Sequence, residues 1–169
     1  MGLERAAMAQ IAERAGVAVG TLYNRFTDRE ALLDALLSER RAELLDKVDA
    51  QIAALSRASF RERLEGFLLV LFKHFQDHRA FLRLVFASEV GKREKREEMS
   101  RALFQRVERL FEQGRRERAL RKDPDQALPV FLMAAAKGML QREVYGLPAL
   151  EPDRAAKSLV KLFLEGAGP

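Results

Sequence analysis

Apolar residues recur every three to four positions along almost the whole chain, and no run alternates apolar with polar as a half-buried strand would. Between them stand mainly Ala, Glu, Arg and Lys, which favour helix. The pattern predicts an all-α fold. A first short helix is expected over about 6–15 and a second over about 19–26, separated by the stretch Gly16 to Gly20. Thr27 with Glu30 three positions later has the form of a capping box. It would open a helix over 28–54 with the apolar stripe Leu32, Leu33, Leu36, Leu37, Leu44, Leu45, Val48 and Ile52. At 1.5 Å per residue that helix is about 40 Å long, enough to link two parts of a molecule.

Ser59 is placed to cap a helix over about 60–75, whose apolar face runs from Phe60 and Leu64 to Phe75. Asp77 is read as the cap of a short helix over about 79–89. A helix over about 93–114 follows, with Gly114 as its end. Pro124 precedes an apolar helix over about 125–143. Gly146, Pro148 and Pro152 are read as breaks before a last helix over about 153–165.

The first two helices make a helix-turn-helix candidate. Ile11, Ala12, Ala15, Val17, Leu22 and Phe26 would pack the pair, and Gly16 supplies a turn where positive φ costs glycine little. The second helix starts with Ala18, Val19 and Gly20, small enough to let its N-terminus sit deep in a major groove. Thr21 and Tyr23 add hydroxyl donors at phosphate height.

Composition narrows the alternatives. The chain has 169 residues, no Cys and two His. That excludes disulfide scaffolds, thiol nucleophiles and Cys-held metal centres, and no activated nucleophile is recognisable, so an enzyme is not expected. The longest apolar runs, such as Phe67 to Phe72, are far too short to cross a membrane, and no signal peptide opens the chain. A cytoplasmic protein without a cofactor is expected. The net charge of +5 is unevenly spread. Residues 1–56 carry 7 basic against 9 acidic groups, residues 57–122 carry 18 against 10, and the remainder 5 against 6. Bulk charge therefore does not mark the helix-turn-helix as a nucleic-acid binder.

The residue pattern does. The stretch IAERAGVAVGTLYNRFTDREALL, residues 11–33, resembles the DNA-binding motif of the TetR family of transcriptional regulators. Its IA-x-x-AGV, GTLY-x-x-F and acidic-capped helix carry the likeness. Over the rest of the chain only the helical layout is similar. The resemblance implies a helix-turn-helix DNA-binding domain over 1–45, joined by a long helix to an α-helical ligand-binding and dimerisation domain over 46–169. It places Val19, Gly20 and Thr21 against base edges and the nearest phosphates, and Tyr23 on a phosphate. Asn24 and Arg25 fall on variable positions that reach bases or backbone. Arg29 falls where the family has a phosphate-binding Lys. A near-palindromic double-stranded operator, an unknown small-molecule effector and a homodimer through helices 125–143 and 153–165 are the implied partners.

The sequence departs from the family in several places. Ala6 and Ala7 replace a Thr pair, Ala9 a basic residue, and Ala18 a Ser cap, each removing a phosphate donor or a cap. The family also carries a basic helix ahead of this motif, and here Met1-Gly2-Leu3 falls where that helix ends. Either that helix lies upstream of this sequence or the protein lacks it, and in the second case a loosened DNA-binding part is expected. The alternative function is a dimeric helical ligand-binding or interaction protein that has lost DNA binding.

Most of the eleven phenylalanines fall between 60 and 114, in helices that by resemblance enclose a ligand pocket. Phe67, Leu71, Phe104, Phe111, Met133 and Lys137 are the candidate lining residues, with plain core packing as the alternative. Lys137 either meets an anionic ligand or extends its ammonium to solvent. His74 and His78 have the i, i+4 spacing of a metal-binding pair. Asp77 places a helix boundary between them, however, and the sequence offers no third ligand, so no metal is expected. The mixed-sign runs Lys92 to Glu98 and Arg115 to Lys122 read as solvated helix faces.

Overall fold

The computed structural model describes residues 2–80, 93–120, 127–142, 147–148 and 151–167. All the regular structure among them is helical, as expected. The elements are α1 (Gly2–Ala15), α2 (Val19–Arg25), α3 (Arg29–Ala54), α4 (Phe60–Asp77), α5 (Arg93–Arg116), α6 (Ala127–Leu140) and α7 (Pro152–Ala167). Most of the expected helix over 79–89 lies outside the described residues.

Helix ends follow local chemistry. Ser59 caps α4 as expected: its Oγ accepts from the Glu62 amide at 3.3 Å, and its own amide donates back to Glu62 Oε2 at 2.8 Å, which completes a reciprocal capping box. At α3 the cap is Asp28, not Thr27. The extended backbone of Asp28 lets its carboxylate accept from the Ala31 amide at 2.7 Å, and Thr27 Oγ1 only donates to Asp28 Oδ2. Pro152 does not break the chain but opens α7, where its missing N–H costs nothing. The carboxylate of Glu151 accepts from the next two free amides, those of Asp153 and Arg154.

Gly114 does not end α5, which continues to Arg116. A Cβ at this buried glycine would come within 2.7 Å of the Phe60 ring. The residue is small because α4 and α5 cross closely there. The left-handed residue after α5 is Arg118, at φ 56°, and the Ala119 amide closes back on the Gly114 carbonyl at 2.9 Å.

Helix α4 is the centre of the molecule. It packs against α3, α5, α6 and α7, while α3 also meets α5 and, towards its start, α1. One continuous core takes Leu44 and Val48 from α3, Phe60 to Phe72 from α4, Val107 and Phe111 from α5, Leu132 and Ala136 from α6, and Ala156 and Val160 from α7. Burial of these side chains is the main stabilising term. Phe111 meets Phe60 and Phe163 edge-on, at centroid distances of 5.6 and 5.8 Å. Met8, Ala12, Leu32, Leu33 and Leu37 are also buried but lie outside that core, around the helix-turn-helix. The expected stripe of α3 is thus shared between two apolar clusters, with Leu36, Leu45 and Ile52 half-buried beside them.

One buried charge is tied down. Arg63 is 4% exposed, donates to the Ala58 carbonyl at 2.7 Å and pairs with Glu117 beyond the end of α5. On the surface, the pairs Arg61–Glu65, Glu97–Arg101 and Asp153–Lys157 have i, i+4 spacing.

Candidate nucleic-acid interface

The turn between α1 and α2 is built on Gly16, at φ 68°, with the Gly16 amide on the Glu13 carbonyl and the Val17 amide on that of Ala12. Ala18 then enters α2 in extended conformation. As expected of Ala, it gives no side-chain cap; its carbonyl accepts from the Thr21 and Leu22 amides. The first amides of α2 therefore have no side-chain acceptor.

Helix α2 packs on α1, and α1 on α3. Met8 and Ala12 of α1 are fully buried. Leu22, Tyr23 and Phe26 are half-buried and form the inward side of α2, the side read as core for Leu22 and Phe26. Val19, Gly20, Thr21, Asn24 and Arg25 are all exposed. No residue of α2 is buried, so this helix offers most of its surface outward. Gly20 has no neighbouring atom within 4 Å of where a Cβ would stand. Packing therefore does not account for a glycine there. Arg29 is the first residue of α3, half-buried, directly after the Asp28 cap.

The structure brings the seven candidate DNA contacts onto one end of the molecule, in α2 and at the start of α3. Sequence reasoning missed Asp28, whose carboxylate caps the start of α3 directly before Arg29. The signal was a second good cap residue directly after Thr27.

The candidate ligand residues divide. Phe67, Leu71 and Phe111 lie in the main core, with Met133 packed against it. Phe104 is half-buried. Lys137 is exposed, one position on from buried Ala136, so its ammonium extends to solvent and does not line the interior.

A short helix held outward by a glycine turn, followed by one long helix entering an all-helical body, defines a helix-turn-helix protein. Residues 1–36 match the sequence pattern of the family described as bacterial regulatory proteins, tetR family. The likeness to the TetR family is thus carried by the helix-turn-helix part of the chain. The transcriptional regulator BetI of Cronobacter sakazakii is 35% identical over 83 residues, 49% of this chain and 41% of that protein. The chain thus spans about two fifths of the length of that curated relative. Two solved structures share the fold over nearly the whole chain. The fatty acid degradation regulator FadR from Bacillus halodurans has a TM-score of 0.73 and 20% identity, covering 94% of this chain and 87% of that one. PfmR, a TetR-family transcriptional regulator from Thermus thermophilus, has a TM-score of 0.68 and 18% identity, covering 96% and 86%. No described helix is long and apolar enough to cross a membrane.

Proposed function

We propose that the chain is a DNA-binding transcriptional regulator that reads a major groove with α2 and acts as a homodimeric repressor released by a small molecule. The observation that carries this reading is the outward start of α2, where Val19, Gly20 and Thr21 stand exposed around a glycine that no packing explains. Tyr23, Asn24, Arg25 and Arg29 supply polar groups on the same end for phosphates or base edges. The net negative balance of residues 1–56 means that local placement, not bulk charge, must supply the attraction.

Support for a dimer comes from α6 and α7. Phe131 is 63% exposed and Leu162 72% exposed, on the two helices that the family resemblance pairs across a twofold axis. Such an axis sets two α2 helices about one DNA turn apart, roughly 34–36 Å. An effector acts by favouring a conformation with the wrong spacing, and its differential affinity for the two states sets the size of the response. Helix α3, rooted in both apolar clusters, is the lever.

Footprinting on the DNA that flanks the gene tests the reading. The expected result is protection of a near-palindromic site, weakened by about 1 kcal/mol in Tyr23→Phe. Failure to protect any flanking sequence supports the other reading, a dimeric helical protein without DNA binding. The absent donors at Ala6, Ala7 and Ala9 favour that alternative.

A further inference from the structure

The helix boundary expected between His74 and His78 falls at Asp77, the last residue of α4, yet it does not part the two side chains. Helix α4 runs through Asp77, and His78 is its C-cap, with its amide on the His74 carbonyl. The two imidazoles therefore share a face, with ring centroids 4.6 Å apart. A third group that the sequence did not reveal joins them from α3. One donor atom from each of Glu43, His74 and His78 lies within 4.8 Å of the other two.

We propose that Glu43, His74 and His78 form a binding site for a divalent transition-metal ion of the zinc class, bridging α3 and α4. Two imidazoles and one carboxylate are a donor set for Zn²⁺, Co²⁺, Ni²⁺ or Cu²⁺, whereas Mg²⁺ and Ca²⁺ prefer oxygen alone. Three protein ligands leave a coordination position open. Tetrahedral bonds of about 2.0–2.1 Å hold neighbouring ligand atoms about 3.4 Å apart. His78 Nε2 and Glu43 Oε2 already stand at 3.4 Å.

Two buried atoms add an independent reason. Neither His74 Nδ1 nor His78 Nε2 has a hydrogen-bond partner, and His74 is only 4% exposed. Leaving such a group unsatisfied is costly, and buried polar atoms of this kind call for an explanation. Burial, with the repulsion of His78 added, pushes the His74 imidazole down to about 4, so at neutral pH its lone pair is free to ligate. Hydrogen bonds from Lys47 and Arg40 hold the Glu43 carboxyl down to about 2, so it is ionised. Those two cations compete with a metal for the carboxylate. Both are partly exposed, and either can swing to solvent and free one oxygen.

Titration of the tag-free full chain with Co²⁺, after chelator treatment, tests the site by its visible ligand-field bands, with Zn²⁺ as displacing ion. One equivalent per chain is expected, together with a rise in Tm on adding Zn²⁺. In His78→Ala and Glu43→Gln, affinity should fall by more than the roughly 10- to 100-fold that loss of an outer-shell partner costs. Both positions are partly exposed and spare buried His74, and far-ultraviolet circular dichroism checks that each variant is folded. Absence of bands and of a Tm shift in the wild type overturns the proposal and leaves the three groups as an ion-pair network. Wild-type affinity retained in both folded variants overturns it too, by placing the metal elsewhere. No DNA is present, so this result and the failure of the regulator reading are separable.

Discussion

The ring of Phe60 lies against the backbone of Gly114, where α4 crosses α5, and leaves no room for a Cβ. Phe60 is itself buried and held edge-on by Phe111, so it has nowhere to retreat. Gly114→Ala gains helix propensity of about 1 kcal/mol. Overpacking typically costs about 1–3 kcal/mol. A net loss of about 1 kcal/mol is expected in urea unfolding. Gly66→Ala should cost less, because the Cβ there meets the ends of the Leu55 and Gln51 side chains, which can rotate away.

Acid should weaken the α3–α5 contact before it weakens the core. The Arg106 guanidinium beside Asp49, donating from Nε at 2.8 Å, holds the Asp49 carboxyl below its ordinary value of 3.8. A carboxyl depressed in the folded state stabilises fully above its unfolded pKa, and that stability is lost as pH falls through the folded value. Melting curves should therefore be insensitive to Asp49→Asn below that lower value and show a deficit for the variant above about pH 4. The deficit should be small and shrink with salt, since Asp49 is largely exposed.

The proposed dimer makes a separate demand on α6 and α7. Phe131→Glu with Leu162→Glu should shift sedimentation from dimer to monomer at micromolar concentration. The circular dichroism should not change, because both side chains are exposed in the single chain. A wild-type chain that sediments as a monomer would contradict the interface.

Gly20 separates a packing role from a DNA role. No atom stands near its Cβ position, so Gly20→Ala should leave stability unchanged or raise it by up to about 1 kcal/mol. The same methyl at the start of a recognition helix should weaken DNA binding, read as an anisotropy titration at fixed salt. Equal DNA affinity of the two proteins would move the contact surface elsewhere.

Much of this was legible in the sequence because it was local. The period of Leu32 to Val48, the Ser59 cap and the glycine turn at Gly16 are set by residues a few positions apart, and they formed as expected. What was not legible depends on distance along the chain. Gly114 has the form of a helix end until Phe60 is seen against it. The His74–His78 pair gains its third group from Glu43 only when α3 packs on α4. Lys137 interrupts an apolar run, and only the packing of Leu132 and Ala136 decides that it faces water. At α3, Thr27 and Asp28 are both good caps, and backbone geometry made the choice.

The central claim is that α2 reads DNA. Selection from a random duplex library by the 169-residue chain tests it most directly. The account predicts enrichment of an inverted repeat with half-sites about one helical turn apart, bound at least roughly 1,000-fold more tightly than scrambled duplex and lost in Gly20→Asp. No enriched sequence, or an enriched sequence that Gly20→Asp binds equally well, would contradict it.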